Sequence, residues 1–278
     1  MRMDIRAVPI MGVLLLLSSC GSPDLVGRNL ISPAPGGSRY PNLYVTAEGT
    51  LLMSWIRPLA GKDYVLEMAE LAGEEWTSPR TIFTGERFFV NWADFPSIYQ
   101  VNGDTLVAHW LYRSGGGTYE YDVSLSVSDD RGKTWSEPAS PHRDGVLAEH
   151  GFLSFFQLSS GGLGMAWLDG RDMTFDPHDE IVSGGAMALV TTTLEKGGLL
   201  GPEVVLDDRV CECCPTAAIS TGKVTVVAYR DRSLDEVRNI QVVRHTDGGW
   251  SKPVTVHEDN WSIPGCPVNG PVLAAHGG

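Results

Sequence analysis

Gly49-Thr50-Leu51-Leu52-Met53-Ser54-Trp55 is a glycine followed by an apolar run that ends on an aromatic residue. It returns as Gly103-Asp104-Thr105-Leu106-Val107-Ala108-His109-Trp110, as Gly162-Leu163-Gly164-Met165-Ala166-Trp167, and as Gly222-Lys223-Val224-Thr225-Val226-Val227-Ala228-Tyr229. The glycines are 54, 59 and 60 residues apart, and Gly277 falls 55 further on. Self-similarity at such a period marks an array of supersecondary units. A second register trails the first: Trp76-Thr77-Ser78-Pro79, Trp135-Ser136-Glu137-Pro138, Leu200-Gly201-Pro202 and Trp250-Ser251-Lys252-Pro253.

Between these markers lie further strand-like runs. One precedes each glycine, at 42–46, 97–101, 153–158, 216–220 and 270–275, and another lies between the registers, at 64–71, 119–127, 186–193 and 239–245. Four strands per unit of that length is a β-propeller blade, so the chain is predicted to be all-β and to hold about four blades plus one strand. The composition agrees, with 32 Gly, 17 Pro and 8 Trp among 278 residues, which favours short strands and tight turns. A net charge of −13, with 20% charged and 42% hydrophobic residues, excludes a disordered tail, a multi-span membrane protein and a basic nucleic-acid binder.

Ser128-Asp129-Asp130-Arg131-Gly132-Lys133-Thr134-Trp135 fits the pattern SxDxGxTW at every fixed position. It resembles the Asp-box of the sialidase-superfamily (BNR repeat) propellers. The physical logic is a hairpin turn in which Asp130 bonds the turn's own backbone, Gly132 permits positive φ, and Trp135 fills the space between blades. Thr246-Asp247-Gly248-Gly249-Trp250 and Gly73-Glu74-Glu75-Trp76 are degenerate copies. The sialidase-type propellers have six blades, so the resemblance implies that 31–278 is an incomplete propeller, truncated at its C-terminal side. A closed four- or five-bladed ring is the alternative, and it would pair the last strand with residues near Leu25 to Ile31.

The N-terminus reads as a targeting segment. Arg2 and Arg6 precede an apolar stretch from Val8 to Leu17, too short to span a bilayer comfortably, and Leu17-Ser18-Ser19-Cys20 resembles the lipobox of bacterial lipoproteins. The resemblance implies a signal peptide over 1–19, acylation of Cys20 and a tether to residue 30. The protein is therefore expected to be exported and lipid-anchored in the bacterial cell envelope, touching the membrane only through that anchor.

In a propeller, residues just before the first strand and just after the second strand of each blade converge on one mouth of the channel. Here those positions include Arg39, Arg57, Asp63, Trp92, Asp94, Arg113, Glu149, His150, Asp169, Arg171, Arg230, Asp231 and Arg232. Guanidinium groups gathered there bind anions locally even on an acidic protein, because overall charge is screened beyond about 10 Å at ~0.1 M salt. The sialidase resemblance then assigns roles. Arg39, in Ser38-Arg39-Tyr40-Pro41, is placed like the arginine that grips the sialic acid carboxylate, with Arg171, Arg230 and Arg238 as its partners. Asp63 is placed like the catalytic acid, and Glu149 like the glutamate that activates a tyrosine nucleophile, which the family carries in a final blade this chain lacks. Arg57, Asp94, His150 and Arg232 complete the expected binding set. Tyr40 departs from the family's Ile, and the short loop 59–62 loosens the alignment of Asp63. Arg230, Asp231 and Arg232 read equally as an inter-blade salt-bridge network, and His150 as a hydrogen-bonded channel residue.

Cys211-Glu212-Cys213-Cys214 precedes one inner strand and Cys266 the next. Export favours oxidation, and a cross-blade disulfide of Cys266 with Cys213 or Cys214 is the preferred reading; a copper or zinc thiolate site is the alternative. The acidic loop 168–184, with Asp172, Asp176, Asp179 and Glu180, is either solvated or a calcium site. The expected function is a sialidase-like glycosidase acting on a glycan or other anionic small molecule. The chain is expected to be a monomer that needs no cofactor or resident metal and binds no nucleic acid. A non-catalytic binding module is the rival.

Overall fold

The computed structural model describes residues 27, 29–158, 161–175, 182–195, 198–222 and 224–275. The leader, Cys20 and the acidic residues Asp176, Asp179 and Glu180 lie outside them. The chain divides into Met1–Leu30 and Ile31–Gly278, and the fold belongs to the second unit. No helix is present among the described residues.

Four antiparallel sheets follow one another along the chain. The first comprises β1 (Arg39–Val45), β2 (Leu51–Pro58), β3 (Tyr64–Ala72), β4 (Glu75–Trp76) and β5 (Arg80–Gly85). The second comprises β6 (Ser97–Asn102), β7 (Thr105–Arg113) and β8 (Tyr121–Ser128). The third runs through β9 (His150–Gln157), β10 (Leu163–Asp169), β13 (Met187–Leu194) and β14 (Val204–Val210), with a small hairpin of β11 (Thr174–Phe175) and β12 (Val182–Gly184) inserted between its second and third strands. The fourth contains β15 (Ala217–Thr221), β16 (Val224–Arg230), β17 (Ile240–Thr246), β18 (Gly249–Trp250) and β19 (Val254–Thr255). Each is a meander, and each repeated glycine-to-aromatic run is the second strand of its sheet.

The sheets stack face to face as blades. Val107, Leu111 and Val123 of the second sheet pack on Leu153, Met165 and Trp167 of the third. The other side of the third sheet, through Phe156, Leu168 and Leu189, meets Val227, Tyr229 and Val243 of the fourth. Leu52, Leu66 and Met68 of the first meet Ile98, Leu106 and Trp110 of the second. A strand covered on both faces has no polar side to show, which is why β10 is buried at every residue and reads as a continuous apolar run. Burying each large apolar side chain contributes about 1.5–3 kcal/mol. Gly164 interrupts β10 for a steric reason: a Cβ there would lie 1.9 Å from the Phe156 ring.

Two expectations need correction. Residues 270–275 form no strand, and among the described residues none follows Thr255. Pro267 and Pro271 lack N–H donors, and Gly270 is pressed so closely onto the Pro215 backbone that a Cβ would meet it at 1.9 Å. The second blade has three strands instead of four: Pro138 has counterparts in the blades that do form a returning strand, but here Pro141 follows only three residues later, removes a further N–H donor and leaves a single bridge between Leu125 and Ala139.

The Asp-box segment forms the turn that leaves β8. Asp130 Oδ1 accepts from Lys133 N and Thr134 N, both at 2.9 Å, and from Ser128 Oγ at 2.8 Å, while Oδ2 accepts from Thr134 Oγ1 at 2.7 Å. Gly132 has φ +78° and sits against Met68 of the first blade, and Trp135 packs into the same inter-blade core. Arg131 adds a 3.0 Å ion pair to Glu70.

Candidate active site

The antiparallel meander puts the starts of the first and third strands and the ends of the second and fourth on one face. The Asp-box turn, leaving the end of a third strand, lies on the opposite face.

In the first and third blades the second strand ends in the same local unit. Trp55 Nε1 donates to Glu67 Oε2 at 2.9 Å, and Arg57 holds that carboxylate with bonds of 2.8 and 3.0 Å. Trp167 Nε1 donates to Asp169 Oδ2 at 2.9 Å, and Arg171 holds Asp169 through Nε and Nη2 at 2.7 and 2.5 Å. A carboxylate buried beside an indole needs a charge partner, and an arginine two residues beyond the tryptophan in the first blade and four beyond it in the third supplies it. Arg171 also reaches Asp144 at 3.1 Å and Glu203 at 2.8 Å. These contacts hold Asp169 below the usual carboxylate range despite its burial. Tyr229 takes the equivalent place in the fourth blade and donates to Asp207 at 2.6 Å.

His150 begins β9 with no exposed surface. Its Nδ1 lies 3.1 Å from Asp122 Oδ1 and its Nε2 lies 3.0 Å from Asp144 Oδ2, and its ring stacks on His142 at 3.8 Å. Burial opposes charging of His150, but the surrounding carboxylates outweigh it and the net direction is upward. Burial pushes His142 down to about 4.

Glu149, immediately before β9, is buried, and burial pushes it up to about 7 against the lowering effect of its bond from the Tyr121 hydroxyl. The Tyr121 ring is fully buried and stacked on Phe89 at 4.0 Å. Asp94, ahead of β6, is also pushed up to about 7 by burial. It accepts the Phe152 N–H of the next blade at 2.5 Å, at a residue held at φ +54° beside the irregularity in the β9–β10 pairing. Asp94 thus clamps a backbone conformation uncommon for a non-glycine residue.

Around the fourth blade, Arg238 is buried and bonds Glu236 at 2.8 Å, Glu212 at 3.4 Å, the Ile263 carbonyl at 3.1 Å and Cys211 Sγ at 3.3 Å. Arg232 pairs with Glu236 and Glu212. Arg230 donates to the Asn269 and Arg238 carbonyls, both at 2.6 Å, and lies over Trp261 at 4.9 Å. The cysteines form two disulfides, Cys211–Cys214 and Cys213–Cys266, with Cα separations of 5.7 and 6.0 Å. The second bridge has the cross-blade character the sequence led one to expect. With all four sulfurs paired, they are not available together as thiolates for copper or zinc.

The structure therefore collects the expected residues into separate groups. Glu149, His150 and Arg171 form one with Asp94 beside it; Arg230, Arg232, Arg238 and the cysteines form another. Arg57 is engaged with Glu67, Arg39 is exposed at the start of β1, and Asp63 is half-buried in the β2–β3 loop. Sequence reasoning missed Asp122, His142, Asp144 and Glu203. The segment Pro141-His142-Arg143-Asp144 was readable as a polar inter-blade link, but its convergence with the start of β8 depends on blade stacking.

Exposed aromatics rim this face. Trp92 is 68% exposed, Phe95 39% and Trp261 38%, and all three belong to loops beside the residues just described.

No protein-family model and no curated protein matches the sequence. Similar solved structures show the fold. The GH93 alpha-L-arabinofuranosidase of Fusarium graminearum, solved with arabinobiose, is 13% identical with a TM-score of 0.55, over 85% of this chain and 68% of that one. The alpha-L-arabinanase of Penicillium chrysogenum, also with arabinobiose, is 13% identical with a TM-score of 0.51, over 77% of this chain and 64% of that one. The polysaccharide lyase Uly1 is 12% identical with a TM-score of 0.50, over 79% and 49%. This chain thus spans about two thirds of the length of the arabinan-related enzymes and half that of the lyase.

Proposed function

We propose that this chain is a glycoside hydrolase of propeller architecture that takes a glycan across the face where the inner strands begin. The observation that carries the reading is the pairing of exposed aromatic rings with buried carboxyls that keep a proton near neutral pH. The C–H face of a sugar is an apolar patch bounded by hydroxyls, and an exposed indole such as Trp92 matches it. Glu149, held near 7, is suited to general acid catalysis, giving a proton to a leaving glycosidic oxygen. The Tyr121 hydroxyl donates to Glu149 and serves to orient it.

Two substrate classes follow. The internal ion pairs of Arg171, Arg232 and Arg238, and the carbonyl bonds of Arg230, leave few guanidinium groups for an anionic sugar and favour a neutral one; the arabinobiose-bound enzymes of like fold support that class. A sialic-acid-type glycan is the second reading, supported by exposed Arg39 and by the order Arg39, Asp63, Glu149 along the chain. The test is hydrolysis of aryl α-L-arabinofuranoside and aryl sialoside by the wild type, Glu149→Gln and Asp63→Asn. Loss of turnover in Glu149→Gln with folding intact supports the assignment. Turnover that survives that substitution refutes it, and glycan binding without turnover makes the chain a binding module. Export and lipid anchoring at Cys20 belong to the same proposal, supported by the two disulfides; lipid labelling that persists in Cys20→Ser excludes that anchor.

A further inference from the structure

We propose that His142, His150 and Asp122 bind a first-row divalent metal ion, zinc being the natural occupant of such a donor set. This site is independent of the glycan reading.

Three observations carry it. First, His142 Nε2 is buried with no hydrogen-bond partner, on a side chain only 6% exposed, and faces Asp122 Oδ1 at 3.6 Å, beyond hydrogen-bond reach. An orphaned imidazole nitrogen in a polar cluster costs free energy, and a metal–nitrogen bond removes that cost. Second, the three ligand atoms lie within 4.8 Å of one another. The His142-to-Asp122 separation of 3.6 Å and the His150-to-Asp122 separation of 3.1 Å span about the edge expected for ligands held roughly 2.0–2.1 Å from one tetrahedral ion. Third, the outer ring nitrogen of His150 is already anchored. Its Nε2 donates to Asp144 at 3.0 Å, with Asp169 at 3.6 Å behind, which leaves Nδ1 for the metal in the carboxylate–histidine–metal arrangement common to such sites.

Charge points the same way. Asp144, Asp169 and Glu203 meet two guanidinium groups, Arg171 and Arg143, while Asp122 faces the two imidazoles, so a divalent ion answers the remaining negative charge. Two imidazoles and one carboxylate select a borderline transition ion over calcium or magnesium, which prefer oxygen donors. A 460 Å³ open pocket lined by Asp122, Ser124, Ser140 and Trp110 brings solvent to the carboxylate side of the site. The rings now stack within 8° of parallel, so binding must pivot them until both lone pairs meet at one point.

The experiment uses the whole disulfide-bonded chain, titrated with zinc or cobalt. One equivalent should bind, at least tenfold more weakly in His142→Gln and in Asp144→Asn. X-ray absorption of the zinc-loaded wild type should show imidazole and oxygen ligands with no sulfur, and the cobalt form should lack a thiolate charge-transfer band, which separates this site from the cysteines. Because absorption spectra of the wild type do not depend on any variant folding, the proposal stays testable if a substitution unfolds the chain. Absence of stoichiometric binding, sulfur in the first shell, or affinity unchanged in His142→Gln overturns it.

Discussion

Replacing Asp94 by Asn should stabilise the protein far more at pH 8 than at pH 5. Asp94 is 6% exposed, and burial lifts its carboxyl from 3.8 to about 7, so folding draws a proton onto a group that the unfolded chain ionises at ordinary pH. Between the unfolded and folded pKa values the native state binds more protons, and wild-type stability therefore falls as pH rises through that window. Each pH unit within it costs about 1.4 kcal/mol. From pH 5 to the folded value near 7, where the group is half titrated, the loss at this residue is roughly 2 kcal/mol, and above that it levels off at roughly 3 kcal/mol. Asparagine is nearly isosteric, its carbonyl oxygen still accepts the Phe152 N–H, and it does not titrate. Subtracting the wild-type unfolding free energy from that of Asp94→Asn at each pH removes contributions from other groups, including His109, whose burial holds it down at about 3 with the opposite pH slope. Urea unfolding at pH 5, 6, 7 and 8 gives the series. A difference that stays constant across those four values refutes the argument, since it would mean that Asp94 is ionised in the folded state throughout.

Further predictions rest on other features. Gly132→Ala should destabilise by about 2 kcal/mol or more, because it combines φ +78° with a Cβ placed 2.6 Å from Met68 Sδ; thermal unfolding checks it. Replacing both Cys213 and Cys266 by Ser opens a loop with a sequence separation of 53 and should cost about 4 kcal/mol in denaturant unfolding, whereas no change would mean that the bridge constrains nothing. If Glu149 acts as the acid, kcat/KM should decline above about pH 7, and a profile flat to pH 9 would assign the acid elsewhere. Trp92→Ala should weaken glycan binding tenfold or more without altering stability, as an indole 68% exposed holds little of the core together.

The fold was legible because its period is written in residues that packing cannot replace. The Trp55, Trp110, Trp167 and Tyr229 positions each sit on a second strand, and expected strands such as 64–71 and 239–245 agree with β3 and β17 to within a residue. The failures have local causes, the extra Pro141 in the second blade and the proline-flanked segment near Gly270. The site was legible in part. Glu149, His150 and Arg171 were found because they flank predicted strands, but nothing in the one-dimensional order says that Asp122 and His142, from different parts of the second unit, meet His150. Nor does it say that Arg171 would be held by three carboxylates, since that depends on how far a third blade rotates over its neighbour.

Residues 256–275 contain no strand, yet they are fastened to the fourth blade at spaced points: the Cys213–Cys266 bridge, the Ile263 carbonyl on Arg238 and the Asn269 carbonyl on Arg230. Two of these fasteners use main-chain oxygens, which every amino acid carries. The side chains between them are thus not what holds this segment to the scaffold. Such a lip is a place where sequence can drift among related proteins while the blades beneath it stay the same.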